Sequence, residues 1–162
     1  MNLKAIQKIC YGVYIISSKK DGKVNGQIAN TAFQITSDPP TIAISINKLN
    51  LTHDYIASSR VFTVSILSRF APMTFIGKFG FKSGRDIDKF ADTGHRLGST
   101  GAPVVLDSTV GFLECEVLST TDVGTHTIFI GKVVNGDLLS DAEPMTYACG
   151  RYPRTCRCPC RI

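Results

Sequence analysis

An antiparallel β-barrel carrying short peripheral helices is the fold class that the sequence predicts, on three observations. Strand-like alternation recurs: Ile42, Ile44 and Ile46 face one way and Thr41, Ala43, Ser45 and Asn47 the other, and Phe62, Val64 and Ile66 repeat the pattern. From Pro103 onward the chain is nearly all strand. Most strands are separated by hairpin spacing, with too few alternating βα units for a doubly wound sheet.

The elements follow in order. Asn2 to Ile9 reads as a short capped helix with Leu3, Ile6 and Ile9 or Cys10 on one face. Tyr11 to Lys19 is strand-like and runs into a hairpin turn, Lys20-Asp21-Gly22-Lys23, with Asp-Gly at its centre. Val24 to Thr36 is extended but rich in small and amide side chains, and Asp38-Pro39-Pro40 breaks it. After the strand Thr41–Asn47 comes a helix, Leu51 to Ser58, with Asn50 or Thr52 as its cap. Val61 to Leu67 is a strand, and Phe70 to Phe79 a second helix entered near Pro72. Val104-Val105-Leu106, Val110 to Leu118 and Thr125 to Val134 are strands, and Asn135-Gly136-Asp137 reads as a turn before Leu138-Leu139-Ser140.

At 162 residues, 43% hydrophobic and 19% charged, the chain has the size and composition of one folded domain and excludes disorder, collagen and coiled coil. No stretch approaches the ~18 apolar residues that span a bilayer, and the first residues have no secretory pattern, so a soluble, cytoplasmic protein without membrane contact is expected. The net charge of +5 owes much to Lys132, Arg151, Arg154, Arg157 and Arg161. No basic stripe interleaved with aromatics marks a nucleic-acid surface, whereas a mildly basic surface suits anionic small ligands. Of six cysteines, Cys10 and Cys115 read as small buried hydrophobes. Cys149, Cys156, Cys158 and Cys160 crowd a tail, 149–162, set apart from a domain over 1–148. Their spacing lacks the paired Cys-x-x-Cys of rubredoxin iron or zinc knuckles, so no metal site is expected. Free thiols are expected instead.

No hydrolase, zinc-protease or Walker pattern is present, and His53, His95 and His126 lie far apart without metal-ligand spacing. Three segments carry chemistry. In Ser45-Ile46-Asn47-Lys48-Leu49-Asn50-Leu51-Thr52-His53 a strand ends and a helix begins, so amides and the macrodipole favour an anion; alternatively Asn50 or Thr52 only caps the helix. Phe79-Gly80-Phe81-Lys82-Ser83-Gly84-Arg85-Asp86 combines glycines, aromatics and cations, as a loop over a flat anionic ligand would, or as a solvated connection would. His126 shares a face with Ile128 and Ile130 and is expected to point into the barrel or an interface, as a site residue or a core histidine.

Taken together, Asn25-Gly26-Gln27-Ile28-Ala29-Asn30-Thr31, Pro39-Pro40-Thr41-Ile42-Ala43-Ile44-Ser45-Ile46-Asn47-Lys48 and Gly124-Thr125-His126-Thr127-Ile128-Phe129-Ile130-Gly131-Lys132-Val133 resemble the flavin reductase-like family. Within it the chain looks closest to flavoredoxin-type proteins and to the flavin domain of rubredoxin-fused flavoproteins. The resemblance covers roughly residues 1–147. It implies a split β-barrel, antiparallel and Greek-key-like, that forms a homodimer and holds FMN non-covalently, with NAD(P)H as electron donor. It implies that Ser45, Ile46, Asn47, Asn50, Leu51 and Thr52 lie by the phosphate. Gln27, Ile28, Ala29, Asn30 and Thr31 would lie along the isoalloxazine, Lys82, Ser83 and Arg85 in the loop that closes over it, Tyr147 near by, and His126 by the ring and the nicotinamide. The family form has Asp before that His, where this chain has Thr125. The implied activity is transfer of reducing equivalents from NAD(P)H to flavin and on to an acceptor. An electron carrier serving a rubredoxin-like partner and a non-catalytic flavin-binding protein are the alternatives.

Overall fold

The computed structural model describes residues 2–147; the cysteine-rich tail lies outside the described residues. Nine strands and two α-helices follow a 3₁₀ turn at Leu3–Lys8: β1 (Tyr14–Lys20), β2 (Lys23–Ala29), β3 (Ala32–Ser37), β4 (Pro40–Asn47), α1 (Leu51–Ser59), β5 (Val61–Leu67), α2 (Met73–Gly80), β6 (His95–Leu97), β7 (Pro103–Val105), β8 (Thr109–Val123) and β9 (His126–Leu138). Seven strands form one sheet in the order β2-β1-β5-β8-β9-β4-β3, and every pairing is antiparallel. β2 and β3 stand at opposite ends of that order, yet only Asn30 and Thr31 separate them in sequence. Two residues reach at most about 10 Å, so the sheet must curl until its ends approach. The result is the expected barrel, split along the β2–β3 seam, with α1 packed on β1, β2 and β4.

Two apolar clusters divide the core. Ile16, Ile44, Ile46, Ile56, Phe62, Val64, Cys115 and Phe129 fill the barrel. Ile15, Leu67, Ile76, Phe79, Phe90 and Val105 lie with their neighbours on the other side of the sheet, under α2. β1 therefore buries consecutive residues, Ile15 and Ile16, on opposite faces. β5 does the same: Phe62 and Val64 enter the barrel, while Thr63 Oγ1 donates to Pro103 O (2.6 Å) and Ser65 Oγ accepts from Val105 N (3.2 Å), fastening β7 outside. Asp21 (φ 49°) and Gly22 (φ 73°) both adopt the left-handed region, as the tight β1–β2 hairpin requires.

Four expectations are corrected. Asn135-Gly136-Asp137 is not a turn: these residues continue β9 opposite Glu114, Leu113 and Phe112. Gly136 is there because the strands approach closely; a Cβ would sit 2.8 Å from Leu113 Cδ2 and 2.9 Å from Phe112 O. β6 is unanticipated, since His95-Arg96-Leu97 is exposed throughout and owes its extension to pairing with β7. Cys10 is exposed rather than buried, and Ile6 and Ile9 beside it are also exposed, so the N-terminal turn is not a buried amphipathic helix. The second helix begins at Met73 rather than Phe70, because Pro72 occupies its N-cap position.

Candidate active site

Three of the expected segments meet in a cavity of about 250 Å³. β2 contributes Asn25, Gln27 and Ile28; the start of α1 contributes Asn50, Leu51 and Thr52; the end of α2 and the loop after it contribute Phe79 to Arg85. Lys89 completes the lining. The chain comes together here because β2 runs beside α1, and α2 returns to β2. Gly84 fits where no side chain would, since a Cβ would fall 2.0 Å from Asn25 Oδ1.

One wall suits an anion. The first-turn amides of α1 at Leu51 and Thr52 have no i−4 carbonyl within the helix to bond. Asn50 holds the N-cap position with extended backbone (φ −78°, ψ 139°), but its side chain makes no capping bond. Thr52 is buried and does not cap the helix: its Oγ1 accepts from Asn25 Nδ2 at 2.8 Å, and its own hydroxyl proton stays available. Ser83 shapes the loop by accepting from Arg85 N (3.1 Å), and Arg85 reaches back to Leu49 O (3.4 Å) and Asp54 (3.6 Å). Lys82 is exposed at the rim. Lys89 is 4% exposed; its Nζ donates to Gly26 O (3.0 Å) and Phe79 O (3.2 Å), and burial pushes its ammonium down to about 8.

Beside this polar cavity lies an apolar one of about 280 Å³, lined by Val13, Met73, Ile76, Met145 and Tyr147. Ile28, Gly80 and Phe81 border both. Together they reach the size of small-molecule sites. Gln27 Oε1 is buried with no hydrogen-bond partner. A buried amide acceptor without a donor costs about 1–3 kcal/mol, which a ligand N–H would recover.

The remaining sequence candidates lie elsewhere. Ile46 is fully buried in the barrel. Asn47 Oδ1 accepts from Leu49 N (2.9 Å), shaping the turn, and Ser45 pairs with Ile128. Ala29 packs against the barrel core, while Thr31 Oγ1 donates to Asn30 Oδ1 (3.1 Å) at the seam. His126 does not enter the barrel: Thr127 and Phe129 point inward, which leaves His126, Ile128 and Ile130 on the half-buried opposite face. It pairs with Asn47 and hydrogen-bonds Thr125 Oγ1 at 2.8 Å. Asn25 and Lys89 were missed as site residues. Asn25 stands two residues before Gln27 on a strand, so both amides share a face and alternation signals it. Lys89 carries no such signal, because its burial arises from contacts with distant Gly26 and Phe79.

A split barrel with a cationic pocket beside β2, joined to an apolar one, has the shape and charge to take a flat, anionic small molecule. The chain belongs to the flavin reductase like domain family, an oxidoreductase family, whose pattern matches residues 6–155. It is 53% identical over 148 residues to the high molecular weight rubredoxin of Moorella thermoacetica, covering 91% of this chain and 65% of that protein. It is 44% identical over 161 residues to the ferric-chelate reductase (NAD(P)H) of Archaeoglobus fulgidus, covering 96% of this chain and 95% of that one. An NADH:FAD oxidoreductase of Streptomyces globisporus, solved with NAD and FAD fragments, superposes with TM-score 0.83 at 25% identity, covering 96% and 92% of the two chains. No helix among the described residues is long and apolar enough to cross a membrane.

Proposed function

We propose that the protein is an FMN-binding oxidoreductase that passes reducing equivalents from NAD(P)H through the flavin to an acceptor. The orphaned Gln27 Oε1 beside a cationic helix-start pocket carries this reading. The amides of Leu51 and Thr52, the Thr52 hydroxyl and the cations Lys82, Arg85 and Lys89 would hold the phosphate, with Asn50 and Ser83 shaping its rim. Gln27 would accept from a ring N–H, with Ile28 against the ring and Tyr147 on the apolar side. FMN, when bound, supplies the hydride and electron chemistry. The protein binds it, orients its ring along β2 and keeps water from the apolar side.

The active species is a homodimer in the cytoplasm, and residues 1–148 form its flavin domain. Phe33 and Ile35 on the edge strand β3, with Leu118 and Val123 on β8, are exposed apolar residues that a second copy would cover. His126 belongs to the nicotinamide side of the reaction, on the half-buried face it shares with Ile128 and Ile130. Ala29, Asn30 and Thr31, at the seam, would lie along the ring, and Ser45 and Asn47 would shape the strand end and turn beside the phosphate. The kinship with a protein named for rubredoxin favours a second reading, in which electrons leave for a rubredoxin-like partner.

The purified protein should be yellow and should bind FMN more tightly than riboflavin. A preparation that stays colourless after FMN is added, with an unmoved melting temperature, overturns the reading. Stopped-flow reduction by NADH and by NADPH separates reductase from carrier.

A further inference from the structure

Behind the pocket, a chain of polar contacts crosses the molecule from the β8–β9 hairpin tip to Arg85. Lys48 Nζ lies 3.3 Å from Asp122 Oδ2, and Thr127 Oγ1 donates to Asp122 Oδ1 at 3.1 Å. His53 Nε2 lies 2.9 Å from the same Thr127 Oγ1. On the other side of the ring, His53 Nδ1 is 3.7 Å from Asp54 Oδ1, and Asp54 Oδ2 is 3.6 Å from Arg85 Nη2.

The protons in this chain can be assigned. Hydrogen bonds from Lys48 and Thr127 hold the Asp122 carboxyl below its usual range, so it is ionised and can only accept. Thr127 spends its one proton on Asp122 and must accept from His53, which places a proton on Nε2. In the neutral ring Nδ1 is then a bare lone pair, and it is buried without a hydrogen-bond partner. It looks at the carboxylate of Asp54, which is also an acceptor. Taking a proton from solvent turns this mismatch into a charge-assisted contact.

We propose that His53 is a positioning residue that makes the pocket's grip on a phosphate dianion pH-dependent, by competing with Arg85 for Asp54. When the ring is neutral, Asp54 holds the guanidinium. When the ring gains its second proton, Asp54 turns to His53, and Arg85 is released to the phosphate. The groups facing His53 are Asp54 on its own helix, Thr127 and Phe129 on β9, Asp122 on β8 with Lys48 bound to it, and Arg85 through Asp54. The proposal rests on the phosphate reading of the pocket.

The test is the ratio of FMN to riboflavin affinity, measured between about pH 8 and pH 5.5, where histidines exchange protons. Riboflavin cancels effects on ring binding, and the His53→Gln variant, which keeps a donor for Thr127, cancels the titration of the phosphate itself. The wild-type ratio should rise on acidification about fivefold more than that of H53Q, at the low end of typical coupling. Asp54→Asn should flatten the profile in the same way. Linkage requires the converse: by NMR, the His53 titration midpoint in the wild type should move up about 0.7 of a pH unit with saturating FMN and stay put with riboflavin. Coincident profiles for wild type and H53Q, or a midpoint unmoved by FMN, overturn the proposal while a high FMN-to-riboflavin ratio leaves the phosphate reading standing. A ratio near one at every pH overturns both.

Discussion

Glu114 and Lys89 are both ionisable side chains withdrawn from solvent, and they are housed in opposite ways. Glu114 is fully buried at the β6–β7 loop, where Thr100 N (3.1 Å), Ser99 Oγ (3.0 Å), Thr100 Oγ1 (3.4 Å) and Asn135 Nδ2 (2.8 Å) all donate to it. Gly98 permits the approach, since a Cβ there would fall 2.3 Å from Glu114 Oε2. Burial alone would raise this carboxyl, but the donors outweigh it and hold it below its usual range. Lys89 has two carbonyl acceptors for three protons, no carboxylate partner, and a cavity beside it. Its lowered value of about 8 records burial that those two bonds do not offset. A saturated buried charge closes a structure. An under-satisfied one marks where a ligand of opposite sign completes it.

The largest effect should come from emptying the saturated cage. Glu114→Ala leaves several buried donors without an acceptor and should cost about 3 kcal/mol in urea unfolding, with FMN affinity of the folded protein unchanged. A cost below about 1 kcal/mol would break the contrast. On the pocket side, Thr52→Ala with Asn50→Ala should weaken FMN by about 2 kcal/mol while riboflavin loses little. Equal losses for the two ligands would mean that this segment only supports the fold.

The two groups should also act at opposite ends of the pH scale. Glu114 has a depressed folded value, so its stabilisation is present above the unfolded carboxylate value, about 4.3, and is lost as pH falls through the lower folded value. Lys89 works the other way: its burial cost is fully present below about 8 and is relieved as pH rises from there to 10.5, where the unfolded chain still binds the proton. The stability difference between ligand-free wild type and Lys89→Met should therefore grow in favour of the wild type across that alkaline window. Burial of the Cys115 thiol, pushed up to about 12, lowers both curves as pH rises above about 9. A difference that does not change with pH would show that Lys89 is better solvated than its burial indicates. The smallest effect on stability is expected for His126→Ala, within about 0.5 kcal/mol because the side chain is half-exposed, while reduction by nicotinamide slows. A lower melting temperature with normal reduction kinetics would return His126 to a structural role.

Much of this was legible in the residues because it is local. Alternation placed β4 and β5, Asp21-Gly22 placed the first hairpin, and the strand-to-helix passage at Asn50-Leu51-Thr52 marked the anion wall, since exposed first-turn amides are a property of any helix start. The loop Lys82 to Arg85 was legible from its glycines and cations. What depended on chain segments far apart was not. Gly136 reads as a turn until β8 is seen pressing against it, and β6 exists only because β7 pairs with it. Lys89 owes its state to the carbonyls of Gly26 and Phe79, and His53 its proton to Thr127 across 74 positions of sequence. The sequence by itself determined which surfaces avoid water and where the backbone turns, because periodicity and φ preference act within a few residues. Only the tertiary structure decided which polar groups are left without partners, because a hydrogen bond is a property of two atoms and the fold chooses the second.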